Sequence, residues 1–156
     1  MIEAASCLQG LGRPLAIQMR TAIFQASYKY LEDMRQFAAQ AAKDAGMDDA
    51  EVYVVKLAVD EACTNIIEHA YGVENEGEIE CTCDAEDDRL TVILRDHGKP
   101  FDPSSVTEPD LSSGLEKRPL GGLGVYLMRQ LMDEVRFESR GEAGNLLTMV
   151  KHKRGK

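Results

Sequence analysis

The chain has 156 residues, of which 44% are hydrophobic and 29% charged, and a formal net charge of −9. A length of this order suits one domain that buries roughly two-thirds of its unfolded surface, with no need of a disulfide or metal staple. The acidic balance argues against a phosphate-tracking surface, because nucleic-acid binding rests on clustered Lys and Arg. Only Lys151 to Lys156 is basic, and it reads as a solvated end. No apolar run approaches the ~20 residues of a membrane span. The first residues show no basic stretch followed by an apolar one. The expectation is a cytoplasmic protein with no membrane partner and no direct nucleic-acid partner. Cys7, Cys63, Cys81 and Cys83 then read as reduced thiols, and no second pair at metal-ligand spacing accompanies them.

Leu15 to Ile23 alternates loosely and predicts a first strand. Ser27 can cap a helix whose apolar positions include Leu31, Met34, Phe37, Ala38 and Ala41, with Gly46 ending it. Asp48 or Asp49 opens a second, longer helix, with Glu51 in its first turn. Val55, Val59, Ala62, Cys63, Ile66, Ile67 and Ala70 give that helix a buried stripe, and Gly72 lies beyond its end. Glu78–Asp84 and Arg89–Asp96 predict a hairpin around the acidic turn Ala85-Glu86-Asp87-Asp88. The stretch 98–121 holds four of the five prolines and reads as a long loop of the kind that covers a site. Val125, Leu127, Met128, Leu131 and Met132 predict a short amphipathic helix, and Val135–Ser139 with Leu146–His152 predict a closing hairpin. A sheet covered on one face by three helices would bury them all in one layer.

Three segments carry candidate chemistry. In Leu57-Ala58-Val59-Asp60-Glu61-Ala62-Cys63-Thr64-Asn65-Ile66-Ile67-Glu68-His69, Glu61 and Asn65 fall about 40° apart on a helix, nearly opposite the Val59–Ile66 stripe. His69 extends their column. A carboxamide oxygen suits Mg²⁺, and a carboxylate can orient or deprotonate a hydroxyl. A solvated helix face shows the same column. Asp96-His97-Gly98-Lys99-Pro100-Phe101-Asp102 ends a strand in an acid that can accept from an exocyclic amine, with Gly98 allowing close approach of a base. It is equally the pattern of a strand-ending turn. Gly121-Gly122-Leu123-Gly124 opens a helix, whose N-terminus attracts phosphate. It fits neither the P-loop nor the dinucleotide fingerprint, and alone it could be a linker.

In this order the three segments resemble the Bergerat-fold, histidine-kinase-like ATPases: DNA gyrase, the heat-shock chaperone ATPases, histidine kinases and mismatch-repair proteins. The segments Ala58-Val59-Asp60-Glu61-Ala62-Cys63-Thr64-Asn65, Gly98-Lys99-Pro100-Phe101-Asp102-Pro103 and Gly121-Gly122-Leu123-Gly124-Val125-Tyr126-Leu127-Met128 are similar to those of the anti-sigma-factor serine/threonine kinases. Asn145-Leu146-Leu147-Thr148-Met149 is similar to that branch's closing strand, and the likeness covers residues 15–152.

The resemblance implies an α+β two-layer sandwich whose mixed, mostly antiparallel sheet carries three helices on one face. Residues 1–14 become an N-terminal extension, 98–121 an ATP lid and 153–156 a basic tail. It implies ATP and Mg²⁺, transfer of phosphate to a serine of an anti-sigma-factor antagonist, sequestration of a sigma factor, and a homodimer. Glu61 would be the general base, Asn65 the Mg²⁺ ligand, and His69 part of the nucleotide wall. Asp96 would bind the adenine amine, supported by Thr148, and Gly98 would make room for the base. Gly122, Leu123 and Gly124 would contact phosphates, and Lys117 and Arg118 would reach the γ-phosphate. Two alternatives stay open: an ATP-gated partner-switch module with little or no kinase activity, and a detached ATP-binding domain of a histidine kinase. No separate helix offers a phosphoacceptor His, and His69 sits inside the ATP-binding helix.

Overall fold

The computed structural model describes residues 17–72, 77–100 and 122–154. In chain order these form β1 (Ile17–Gln25), α1 (Leu31–Asp44), α2 (Asp49–Asn65), β2 (Glu78–Glu86), β3 (Arg89–Asp96), α3 (Gly122–Leu131), β4 (Glu134–Ser139) and β5 (Asn145–His152). The strands make one sheet in the order β1-β2-β3-β5-β4. The expected α+β class is observed, with one refinement. Every pairing among the described residues is antiparallel, where a mixed sheet was expected. The chain re-enters the sheet beside the point where it left: Gln25 pairs with Glu78, and Ala26 N–H donates to the Gly77 carbonyl at 2.8 Å. Two helices between β1 and β2 therefore give an antiparallel neighbour rather than a parallel crossover.

Strand alternation sends Ile79, Cys81, Cys83 and Ala85 of β2 and Leu90, Val92 and Leu94 of β3 into the core, beneath the helices. From the helices come Met34, Ala38 and Ala42 of α1, Val55, Val59 and Ala62 of α2, and Val125 and Met128 of α3. Phe24 meets Phe37 edge-on, ring centroids 6.0 Å apart, which fixes α1 on β1. Cys63, Cys81 and Cys83 are buried free thiols packed as small hydrophobes. No helix among the described residues is long and apolar enough to cross a membrane.

Three local features differ from the sequence reading. Ser27 caps a 3-10 turn, Tyr28–Tyr30, that leads into α1 rather than capping α1 itself. The 3.6-residue period of the second helix stops at Asn65, and Ile66–Tyr71 continues as a π-helix closed by left-handed Gly72, φ 78°. The tail is also not simply solvated. Asp48 and Glu51 form a reciprocal capping box at the start of α2. Glu51 is 3% exposed, and its second oxygen accepts from the Arg154 backbone N–H while the Arg154 guanidinium reaches Asp48. Arg154 thereby satisfies a buried carboxylate that would otherwise be costly. Residues 1–14 lie outside the described residues.

Candidate active site

The sheet end of the site is set by Asp96, which alternation turns inward at the last position of β3, in phase with Leu90, Val92 and Leu94. It is buried, and its Oδ1 accepts from the Gly98 backbone N–H and from Asn145 Nδ2, each at 2.9 Å. Asn145 is the first residue of β5 and pairs with Asp96 across the ladder. The same amide donates to the Gly98 carbonyl at 3.0 Å. One carboxamide thus fixes both the acid and the turn after it. The other carboxylate oxygen, Oδ2, has no hydrogen-bond partner among the described residues. A charged acceptor left over in a buried rim suits an exocyclic amine.

Glycine is required at two points of this rim. A Cβ on Gly98 would lie 2.5 Å from the Ala70 carbonyl oxygen, and Lys99 N–H donates to that same oxygen at 2.7 Å. In the described structure Gly98 therefore makes room for the end of the π-helix; the expectation was room for a base. Gly144, at φ 98°, brings the β4–β5 turn within 2.7 Å of the Asp96 carbonyl oxygen, measured from its absent Cβ. Tyr71 finishes the seam: its hydroxyl donates to the Glu78 carbonyl at 2.8 Å and accepts from His97 N–H at 3.0 Å.

The helix end of the site is different. Glu61 and Asn65 lie one turn apart on α2, as expected, but their face is not a solvated one: Asn65 is 8% exposed. A narrow cleft lies between this helix and the sheet. Asn65, Ile66, His69 and Ala70 line one wall, and Asp96, Asn145 and Leu147 line the other, with Phe137 and Lys99 at its margins. The π-turn carries His69 and Ala70 into this wall, which a continuing α-helix would aim differently. His69 Nε2 is buried and has no hydrogen-bond partner among the described residues. An unsatisfied buried polar atom costs about 1–3 kcal/mol, so a polar ligand atom reaching this wall would be favoured. Glu61 stands outside the cleft, against the first turn of α3: a Cβ on Gly124 would lie 3.0 Å from Glu61 Oε1. Burial raises the Glu61 carboxyl above the ordinary range, and the Asp60 and Glu68 charges push it the same way. Arg35 of α1 holds Asp60 in an ion pair at 2.5 Å, which fixes the carboxylate next to Glu61.

Asn65, His69 and Asp96 thus line one cleft, Gly98 packs against Ala70 of its wall, and Gly122, Leu123 and Gly124 form the start of α3. Thr148 is not brought to Asp96. It pairs with Ile93, one of the β3 positions whose side chains alternate away from the helices, whereas Asp96 points toward them. The expected support for Asp96 comes instead from Asn145, three residues earlier in the same strand. Lys117 and Arg118 lie outside the described residues. Lys99 is the described cation at the cleft and was passed over in the sequence reading, although it sits inside the Asp96-His97-Gly98-Lys99 segment. The residues present fit a purine nucleotide with a divalent ion. Asp96 Oδ2 can take an amine, His69 Nε2 awaits a partner, and the Asn65 oxygen is a hard donor where the cleft approaches Glu61.

Comparison with known proteins shows the family and the fold. The model of the histidine kinase-like ATPase domain matches residues 24–151. The chain is 36% identical, over 135 residues, to the serine-protein kinase RsbW of Bacillus velezensis and to that of Bacillus subtilis strain 168, spanning 83% of this chain and 82% of each relative. In fold it is similar to the crystal structure of the RsbU and RsbW domains of Rv1364c from Mycobacterium tuberculosis, with a TM-score of 0.59 at 16% identity, covering 87% of this chain and 32% of that one. The chain belongs to the histidine kinase-like ATPase family, in the branch of the RsbW serine-protein kinases.

Proposed function

We propose that the chain transfers the γ-phosphate of ATP to a serine of an anti-sigma-factor antagonist and, in its other role, sequesters a sigma factor. The observation that supports this most directly is Glu61: a half-buried carboxylate with a raised pKa, one helical turn from Asn65 and against the N-terminus of α3. A base poised to take a proton belongs at a nucleophile, and a helix N-terminus belongs at a phosphate. In this reading Asp96 and Asn145 orient the adenine, and His69 Nε2 takes a hydrogen bond from the nucleotide side of the cleft. Gly122, Leu123 and Gly124 present backbone groups to the phosphates, with Lys117 and Arg118 as the proposed γ-phosphate cations. Asn65 would hold Mg²⁺, which supplies charge neutralisation of the phosphates. The serine hydroxyl gives its proton to Glu61 as its oxygen bonds to the γ-phosphorus. The bond from that phosphorus to the bridging oxygen breaks, and ADP leaves with the electron pair.

The test is direct. Incubation with Mg-ATP and a purified antagonist should yield phosphoserine on the antagonist, and Glu61→Ala should abolish it while leaving ATP affinity within about twofold. Transfer at the normal rate by that variant would remove Glu61 from the role of base. ATP-dependent complex formation with no phosphoserine would leave a partner-switch module without kinase chemistry.

A further inference from the structure

We infer that Tyr53 and Leu57 form the docking platform for the phosphoacceptor protein, an inference that rests on the kinase reading above. Tyr53 is 61% exposed and Leu57 36%, and they are the two exposed large hydrophobic side chains on α2. They stand eight and four residues before Glu61, so all three fall within about 80° of the helix surface. Leu57 lies about 6 Å and Tyr53 about 12 Å from Glu61 along the axis. A hydroxyl that gives its proton to Glu61 must come within hydrogen-bond reach of it. Gly124 and the first turn of α3 occupy one side of the carboxylate, and the cleft lies beyond Asn65. A folded acceptor therefore arrives over the exposed flank of α2. A stable contact covers about 800 Å² per partner, a patch roughly 16 Å in radius, so an acceptor seated on Glu61 covers Leu57 and Tyr53 as well.

The surroundings define the partner. Exposed Asp49 and Glu68 flank the column, Asp60 is held by Arg35, and Lys56 is the one cation of α2. Beyond Glu61, the Tyr28 hydroxyl donates to Glu68 at 2.9 Å, which places a second exposed ring on the far side of the base. This surface fits a protein whose serine is flanked, one to two helical turns away, by apolar side chains set among basic ones. Aromatic and aliphatic anchors near the centre of an interface carry most of its binding energy.

The inference is tested with the full chain, Mg-ATP and the antagonist that accepts phosphate in the assay above. In the double variant Tyr53→Ala, Leu57→Ala, KM for the antagonist should rise about tenfold or more, with kcat within about twofold. ATP affinity should be unchanged, and Tyr53→Phe should behave as the parent. An unchanged KM overturns the platform and leaves the kinase reading standing. A fall in kcat alone, a loss of ATP affinity, or a change in self-association measured by sedimentation also overturns it, by assigning the pair to chemistry, to the nucleotide wall or to a contact between copies. No transfer by the parent chain overturns the kinase reading, and the platform with it.

Discussion

The sheet end and the helix end of the site are built on opposite principles. At the sheet end, Asp96, Asn145 and Gly98 are joined by hydrogen bonds that exist before any ligand arrives, and Tyr71 ties His97 to Glu78 beside them. At the helix end, His69 Nε2 is buried without a partner, and Glu61 is held where its charge is disfavoured. Folding alone fixes the first. The second keeps a buried nitrogen without a partner among the described residues and a carboxyl whose charged form is disfavoured. Specificity for a base needs rigid complementarity, while proton transfer needs a group of raised pKa. Placing the two on different elements lets one site hold both.

The comparison breaks most visibly at Glu61. Glu61→Ala should lower phosphotransfer by about 10²- to 10⁴-fold, the contribution of a positioned general base, with ATP affinity within about twofold by calorimetry. A parallel loss of ATP affinity would mean that the two ends are one unit. Asn145→Ala attacks the other end. It removes a donor to a buried carboxylate, a bond worth about 1.5–3 kcal/mol. ATP affinity should fall by about ten- to a hundredfold and the melting temperature by several degrees. The kcat of nucleotide-saturated enzyme should stay within about threefold. If kcat instead falls as far as affinity does, the sheet end also positions the reaction.

The sequence made the helix end more legible than the sheet end, for a physical reason. Helical period alone puts Glu61 one turn from Asn65, and the segments around them resemble a known family closely. The core faces of β2 and β3 were likewise written in their alternation. The partner of Asp96 is a matter of register between β3 and β5, strands some fifty residues apart, and a shift of one residue reverses every side chain. Thr148 was favoured as a hydroxyl within a matched segment, and only the ladder reveals that Asn145 faces Asp96. The π-turn after Asn65 was equally hidden, because Ile66, Ile67 and Ala70 satisfy an α-helical stripe as written and only packing against Gly98 and Lys99 reveals the wider turn. Arg154 satisfying Glu51 is a contact between the end of the chain and the start of α2 that composition could not suggest.

A smaller effect sharpens the account of Glu61. Asp60 lies next to it, bears a negative charge and raises its pKa. Asp60→Asn removes that repulsion, so the Glu61 pKa falls. A base must be ionised to act, and activity is lost as pH drops through its pKa. The acidic limb of the kcat/KM profile should therefore move to lower pH in the variant, with little change at neutral pH. Because burial is the larger cause of the raised pKa, the limb should move only part of the way toward that of a free carboxylate. An unmoved limb would mean that Glu61 does not set it.

The smallest expected effect tests the register itself. Thr148 is 6% exposed and pairs with Ile93 and Arg136, both on positions that alternate away from the helices. Thr148→Val keeps the shape and removes the hydroxyl, so ATP affinity should stay within about twofold of the parent while Asn145→Ala loses tenfold or more. The pair of variants is informative because the two residues lie three apart on one strand, and an odd spacing along a strand means opposite faces. If Thr148→Val were the damaging change and Asn145→Ala the silent one, β5 would be displaced by one residue against β3. Thr148 would then pair with Leu94 and share the face of Asp96, and the preassembled rim would have to be rebuilt around it.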